Sequence, residues 1–304
     1  AVQDIFEHQT VRTLARRVGM GAAESEAMER ILTRDRRPFD LVSAEDRAKL
    51  PADAVDAYPL SALQAGMLFE QQMSPEAPAY HNINSYHFRG AFDEACFRAA
   101  VQRAVDVHEN LRTSIHLAGF SEMLQVVHAH AEVPVWVEDI RHLSDPEQHA
   151  YLDALRTQRF RTLLDLTRAP LMELHVHLRG DDRFQVTLSE CHAIADGWST
   201  TSLFAEIFQD HAALLRGEPL PERPLPRVRF RDFVEMERAT MASEASRRFW
   251  AERLDGLSAR PLPRLPEPFR EAARPGTATL AVPFDPELQA GLHALARSLA
   301  VPLH

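Results

Sequence analysis

Cysteine is scarce in this sequence, with only Cys96 and Cys191 among 304 residues. A secreted disulfide framework needs more pairs, so we expect two free thiols and a cytoplasmic protein. The first residues, Ala1 to Asp4, have no basic region followed by an apolar run, and we therefore expect no signal peptide. No apolar stretch approaches the length that crosses a bilayer, so no membrane association is expected.

Positive charge is also in short supply. The 34 Lys and Arg residues are outnumbered by 44 Asp and Glu residues, which leaves a formal net charge of −10. This balance gives no long-range attraction for a phosphate backbone and argues against nucleic acid as a partner. The length is sufficient for two modest lobes, each with its own core.

Histidine is plentiful, with fifteen residues, and two pairs suggest a metal site. The pair His128 and His130, and the pair His175 and His177, would each place two imidazoles on one face of a strand, a spacing that zinc can use. No Cys or carboxylate partner recurs beside either pair. Hydrogen-bonded or solvated histidines are therefore the favoured interpretation, and no metal is expected.

The apolar pattern predicts a mixture of helices and strands. Helical spacing indicates helices at 4–18, 22–34, 61–73, 93–108, 199–215, 230–254 and 286–299. Alternation indicates strands at 80–88, 112–115, 123–128, 171–178, 183–192 and 277–284. The last strands before residue 192 flank a turn-rich tetrapeptide at 179–182, which predicts a hairpin and some antiparallel pairing. The fold class is therefore α/β or α+β.

The segment 189–199 lies where a predicted strand meets a predicted helix. Side chains alternate along a strand, so His192 shares a face with Glu190 and Leu188, and Cys191 points the other way with Ser189. A Cys–His nucleophile–base pair needs both groups to converge on one substrate atom, so a thiol mechanism is not expected.

His192 can exchange a proton near neutral pH without large tuning. Asp196, in the turn that follows, can fix the loop by pairing with a cation or with backbone donors. Gly197 permits a backbone conformation that other residues rarely adopt. The isolated pattern HxxxDG is more typical of a core histidine beside a helix-capping loop, so by itself it is a weak indication of a catalytic site.

Several stretches together resemble one family. Residues 191–197, CHAIADG, resemble the HHxxxDG signature of nonribosomal peptide synthetase condensation domains, which belong to the chloramphenicol acetyltransferase-like superfamily. Four other segments are similar to family motifs in the family's order: YPLSALQAGMLF at 58–69, HENLRT at 108–113, LDLTRAPL at 164–171 and the helix at 230–254. The run at 4–18 resembles the last helix of a peptidyl carrier protein.

The resemblance implies an organisation of the chain. Residues 1–20 would be the end of an upstream carrier protein, 21–57 a linker and 58–228 the N-terminal lobe with the motif. Residues 229–304 would be a connecting helix and the beginning of a second, similar lobe, which the chain does not complete. The implied fold is a chloramphenicol acetyltransferase-like lobe with a mixed sheet and flanking helices.

The implied activity is acyl transfer that forms a peptide bond: the amine of a carrier-bound acceptor attacks a carrier-bound donor thioester. No cofactor of its own is implied, because the substrates arrive on 4'-phosphopantetheine arms. The implied partners are an upstream and a downstream peptidyl carrier protein and an adjacent adenylation domain.

The resemblance also implies roles for individual residues. His192 is the catalytic candidate, as a general base or as a hydrogen-bonding group that positions the amine and steadies the tetrahedral intermediate. Asp196 is implied to be structural, through a pair with Arg112, and Gly197 to let the loop approach the reacting centre.

The remaining positions of the motif are interpreted as follows. Trp198 and Ser199 are candidates for a substrate channel, although a core aromatic is the favoured interpretation of Trp198. Cys191 stands where the family usually has its first histidine, and Val107 stands where the second motif usually has arginine. We interpret Cys191 as a supporting position that a small, soft side chain can fill.

Alternatives from other classes remain at this point. The chain could be a noncatalytic condensation-like module that recruits another enzyme, as Cys191 suggests, or an HxxxD acyltransferase that uses acyl-CoA. Within the superfamily, a heterocyclisation domain would carry aspartate at position 191, and an epimerisation domain would shift the serine and tryptophan one step. A starter domain would lack the carrier-like segment at 4–18.

Overall fold

A computed structural model of the chain describes residues 37–73, 79–226, 228–257, 282–283 and 285–299. The predicted helices at 4–18 and 22–34 lie outside these residues, as does most of the strand predicted at 277–284, whose described positions 282 and 283 form no strand. The chain divides into two compact units: 36–246, and 1–35 together with 247–304.

The described residues of the unit 36–246 form two sheets. An antiparallel sheet of three strands, in the order β1-β4-β3, comprises β1 (Ala54–Pro59), β3 (Thr113–His116) and β4 (Leu124–His128). A mixed sheet of four strands, in the order β2-β7-β6-β5, comprises β2 (His81–Arg89), β5 (Val135–Asp139), β6 (Met172–Leu178) and β7 (Arg183–Cys191). Only the β5–β6 pair of that sheet is parallel. The predicted α/β class with a mixed sheet is confirmed.

Helices flank these sheets. They are α1 (Ala44–Arg47), α2 (Ala62–Met73), α3 (Glu94–Val107), α4 (Asp145–Phe160), α5 (Gly197–Leu215) and α6 (Phe230–Ala242), and a short 3₁₀ turn spans Glu109–Arg112. Two further helices follow along the chain, α7 (Glu244–Leu254) and α8 (Pro286–Leu299). None of the described helices is long and apolar enough to cross a membrane.

The predicted hairpin is formed by β6 and β7. Along β7, an inner strand of the sheet, the side chains alternate between the two faces as expected. Phe184, Val186 and Leu188 join one hydrophobic cluster with residues of α5. On the opposite face, Thr187 Oγ1 lies 2.8 Å from Ser85 Oγ of β2. Since both faces are covered, the whole of β7 beyond its first residue is buried.

The helix α3 forms where its apolar stripe predicts it. Asp93 caps it by accepting a 2.9 Å hydrogen bond from the backbone nitrogen of Cys96. Its predicted core face is buried in full and consists of Phe97, Ala100, Val101, Ala104 and Val105. Burial of each large member contributes roughly 1.5–3 kcal/mol, and this stripe anchors α3 to the core.

An ionic cluster joins α3 to α5 and to the segment that follows α5. Asp210 of α5 is fully buried, and its carboxylate binds Arg103 of α3 at 2.9 Å and also binds Arg223. Arg223 donates a further bond to the backbone oxygen of Glu206 at 3.0 Å. The proline-rich segment 219–226 is thereby fastened to the helical layer.

Several boundaries differ from the sequence expectation. The long helix predicted at 230–254 is two helices, because Ser243 adopts an extended conformation with ψ 122°. The predicted linker contains α1 and the start of β1. The elements β5 and α4 were not predicted, although Ser144 and Glu147 form a capping box at the start of α4.

Candidate functional site

His192 comes directly after Cys191, the last residue of β7, at the end of the strand where Cys191 pairs with His81 of β2. Its backbone nitrogen donates to the carbonyl oxygen of Tyr80 at 2.9 Å, which extends the strand pairing by one residue. Its ring is stacked on the Tyr80 ring, with centroids 6.4 Å apart and planes at 9°. The half-buried imidazole is therefore held by backbone and ring contacts from one neighbouring segment.

A polar chain leads from His192 into the interior. The Nδ2 atom of Asn82 lies 2.9 Å from Nδ1 of His192 and 3.5 Å from Oε1 of Glu190. The hydroxyl of Thr200, on α5, donates to both oxygens of Glu190 at 3.3 and 3.2 Å. His192 and Glu190 thus share a face, as alternation predicts, and Asn82 bridges them.

Burial shifts the pKa of Glu190. The side chain is almost inaccessible to solvent, and desolvation raises its pKa to about 7 in opposition to the hydrogen bonds from Asn82 and Thr200. The negative charge of Asp196 raises it further. The sequence places Glu190 on the same strand face as His192, but we assigned it no role. A carboxylate on the otherwise apolar face of a strand already indicates a buried polar group with a shifted pKa.

Cys191 lies in the hydrophobic core and not in the polar chain. It is buried, its backbone nitrogen donates to the carbonyl oxygen of Leu171 at 3.0 Å, and its side chain joins the main apolar cluster. Burial raises the pKa of the thiol, and the nearby Glu190 charge acts in the same direction. Because the thiolate is the nucleophile of cysteine chemistry, this environment makes Cys191 unreactive.

The expected pair between Arg112 and Asp196 is not formed. Asp196 is exposed and caps α5, accepting a 2.7 Å hydrogen bond from the backbone nitrogen of Ser199, which lowers the pKa of the carboxyl. Arg112 instead donates to the carbonyl oxygens of Val105 at 3.1 Å and His128 at 2.6 Å. Each group is already committed to a backbone partner, so the prediction of an Arg–Asp pair is wrong.

The first turn of α5 also corrects the expectation for Gly197. It begins the helix with ordinary backbone angles rather than positive φ, and an added Cβ would meet nothing within 4 Å. The helix therefore opens at Gly197, two residues before the predicted start at Ser199. Trp198 is 78% exposed, so the favoured interpretation of this residue as a core aromatic is wrong.

A cavity of about 510 Å³ lies beside the motif loop, within the unit 36–246. Trp198 and Ser199 line it, whereas His192 does not. Two polar contacts lie on its wall: a 2.8 Å hydrogen bond between His108 Nε2 and Glu206 Oε2, and the ion pair of Arg229 with Glu109. The other lining residues include Val107, Leu111, Ile194, Leu203, Phe230 and Phe233.

The two histidine pairs have other partners. His128 binds Asp53 at 2.9 Å and Ser114 at 2.8 Å. His175 stacks on Trp136 with ring centroids 4.5 Å apart. In the part of the chain that the structure describes, no three His, Cys, Asp or Glu side chains are grouped so that they could hold a metal ion.

Comparison with known sequences gives consistent matches. The sequence profile of the Condensation domain matches residues 54–304. AMB antimetabolite synthetase AmbE of Pseudomonas aeruginosa is 35% identical over 308 residues, which cover 99% of this chain and 14% of that protein. Tyrocidine synthase 3 of Brevibacillus parabrevis is 32% identical over 164 residues, which cover 54% of this chain and 2% of that protein. The chain therefore spans a small part of the curated relatives that it matches.

Comparison with solved structures shows the same fold. The starter condensation domain of rhizomide synthetase RzmA aligns with a TM-score of 0.58 and 20% identity, covering 66% of this chain and 48% of that one. SgcC5 from Streptomyces globisporus aligns with a TM-score of 0.59 and 22% identity, covering 80% of this chain and 56% of that one.

Proposed function

Because the chain belongs to the condensation-domain family of nonribosomal peptide synthetases, we propose that it joins two carrier-bound substrates through an amide bond. Condensation domains are peptide-bond-forming enzymes of the acyltransferase type. The observation that carries the proposal here is the placement of His192: its Nδ1 is held by Asn82, and its Nε2 has no hydrogen-bond partner among the described residues.

The proposed reaction balances without a metal or a covalent enzyme intermediate. The acceptor amine attacks the carbonyl carbon of the donor thioester, a C–N bond forms and the C–S bond breaks. The electron pair of that bond departs with sulfur, and the proton that the amine loses ends on the thiol. A thioester is already activated, so orientation of the two reactants supplies much of the rate. The carbonyl oxygen gains charge during attack, and a hydrogen-bond donor near it stabilises the transition state.

The substrates of this chain are proposed to be aminoacyl and peptidyl thioesters on 4'-phosphopantetheine arms. An upstream and a downstream carrier protein would present them, and an adjacent adenylation domain would supply the amino acids. The exposed Trp198 and its neighbour Ser199 are proposed to line the path of one arm, because both face the 510 Å³ cavity beside the motif loop.

The test is reconstitution with the complete domain. Two carrier proteins, one loaded with a donor aminoacyl group and one with an acceptor, are mixed with the domain, and the downstream carrier is examined by mass spectrometry. We expect a mass increase on the downstream carrier equal to the donor acyl group. If no dipeptidyl carrier forms with any of a panel of loaded pairs, the chain is a noncatalytic recruitment module. Transfer from acyl-CoA alone would instead identify an acyl-CoA-dependent acyltransferase.

A further inference from the structure

One side chain, that of Asn82, connects the His192 ring to the buried Glu190. Asn82 has a single amide nitrogen, and that atom lies within hydrogen-bonding range of both His192 Nδ1 and Glu190 Oε1. An amide nitrogen carries two hydrogens and no acceptor lone pair. In this arrangement Nδ1 of His192 accepts, so the neutral ring carries its hydrogen on Nε2.

Glu190 determines which end of the Asn82 amide faces the histidine. Thr200 donates its single hydroxyl hydrogen to the Glu190 carboxylate, which therefore acts as an acceptor. If the amide were turned over, its oxygen would lie 3.5 Å from the carboxylate oxygen. Two acceptors at that distance repel each other while Glu190 is ionised, and the amino end of Asn82 is favoured.

The titratable groups around Asn82, Glu190 and His192 do not take over the role of Glu190 in orienting the Asn82 amide. The negative charge of Asp196, at the start of α5, acts on Glu190, but its carboxylate is bound to the backbone of Ser199. From β2 and β7 the titratable neighbours are Tyr86 and Cys191, whose pKa values are raised mainly by burial and further by the Glu190 charge. On β6 the residue opposite Glu190 is the apolar Met172.

We propose that Asn82 is a positioning residue that holds His192 in the Nε2–H tautomer, and that ionised Glu190 holds the Asn82 amide in the orientation this requires. The catalytic consequence rests on the proposed function. With hydrogen on Nε2, His192 donates to the carbonyl oxygen that becomes negative during attack, and it takes no proton from the incoming amine at that nitrogen. The general-base role left open by the sequence is thereby excluded for the neutral ring.

The test is the tautomeric state itself, which a merely structural role would leave undefined. The complete domain, labelled with ¹⁵N-histidine, is examined at pH 8 by long-range ¹H–¹⁵N correlation, and the His192 signals are assigned by their loss in His192→Ala. We expect a protonated Nε2 and an unprotonated Nδ1. A protonated Nδ1 in the wild-type protein would overturn the proposal without the need for any further variant.

Variants test the two parts separately. Asn82→Asp places a carboxylate beside Nδ1 and should move the hydrogen from Nε2 to Nδ1. Asn84→Asp, on the same strand but at an exposed position, is the matched control and should leave the His192 signals unchanged. An unchanged His192 tautomer in a folded Asn82→Asp protein would refute the role of Asn82. Glu190→Gln should admit the second amide orientation and a population of the Nδ1–H tautomer, and a tautomer unchanged from wild type would refute the part given to Glu190.

The positioning role of Asn82 and the proposed function can be tested independently. The tautomer is measured without carriers, whereas amide formation is measured with them. In the reconstituted reaction, Asn82→Leu should lower kcat by on the order of a hundredfold with little change in KM, because the ring loses its orientation. If the wild-type protein shows the Nε2–H tautomer but forms no amide product, the positioning role of Asn82 stands and the proposed function is refuted.

Discussion

Asp196 and the backbone nitrogen of Ser199 are joined by a 2.7 Å hydrogen bond that closes the first turn of α5. The carboxylate therefore acts on the helix that carries Trp198 and Thr200, and not on the guanidinium of Arg112. An N-cap is a local device of moderate energy, far smaller than a buried ion pair. The stability of the motif loop consequently depends on helix capping.

The first prediction concerns this cap. Asp196→Ala should lower the free energy of unfolding by about 1 kcal/mol, and Asp196→Ser should restore most of the loss, because serine also caps. In a double-mutant cycle with Arg112→Ala, the two effects should add to within about 0.5 kcal/mol. Chemical denaturation of the four proteins measures this, and a coupling energy several times larger would show that the two side chains interact after all.

The second prediction concerns His192. His192→Ala should reduce the rate of amide formation by about a hundredfold or more, as the loss of a hydrogen-bond donor to the developing oxyanion commonly does. Single-turnover kinetics with loaded carriers measure the rate. His142→Ala, at an exposed position, is the control and should retain the wild-type rate. Equal rates for the two variants would remove His192 from the chemistry.

The third prediction concerns the thiol of Cys191. Cys191→Ala should lower the free energy of unfolding by about 1 kcal/mol, because it leaves a small gap in the core, and should preserve amide formation. Peptide mapping after incubation with a loaded donor carrier should find Cys191 unmodified. An acyl adduct on this residue would indicate covalent catalysis, and inactivity of a stably folded alanine variant would contradict a purely structural role for Cys191.

The fourth prediction is a pH dependence of stability from Glu190. Its pKa is about 7 in the folded protein against an ordinary 4.5. Between these values the unfolded chain gives up a proton that the folded protein keeps, so stability falls as pH rises and levels off above pH 7. Glu190→Gln removes the titration, and relative to wild type it should be stabilised at pH 8, by at most about 3 kcal/mol, and hardly at pH 4.5. Thermal melts of both proteins across this pH range measure the effect. A stability difference between wild type and Glu190→Gln that does not change with pH would contradict the raised pKa.

The fifth prediction concerns the buried Asp210. Asp210→Ala should destabilise the protein by about 3–5 kcal/mol, because it leaves Arg103 and Arg223 without their buried counter-charge. The matched control is the exposed pair of Glu94 and Arg98, where Glu94→Ala should cost less than about 1 kcal/mol. Similar losses at the two positions, measured by denaturant unfolding, would mean that the buried cluster is solvated.

The sequence is informative where a local rule decides the structure. The core face of α3, the hairpin of β6 and β7 and the position of His192 at the end of a strand all follow from periodicity. Alternation also placed Glu190 and His192 on one face, which Asn82 confirms by contacting both. These features depend on neighbours within a few residues along the chain, so one sequence is enough to derive them.

The remaining features depend on pairing between distant segments. Asn82 reaches His192 only because β2 lies beside β7, and this register brings together residues that are 110 positions apart. Arg112 has the charge expected of a partner for Asp196, yet backbone carbonyls compete for it, and their positions follow from tertiary packing. The break at Ser243 likewise lies in a segment whose composition favours one continuous helix.

The strand that carries Asn82 has a consequence for the dynamics of the site. Within the described residues, β2 lies at one end of the four-stranded sheet and is hydrogen-bonded on one side only, to β7. An edge strand opens locally at a lower free-energy cost than the sheet it borders, so His192 can lose the partner of its Nδ1 while the rest of the core stays folded. The time for which the His192 ring stays ordered therefore depends on fraying of β2, and amide hydrogen exchange along β2 would report it directly.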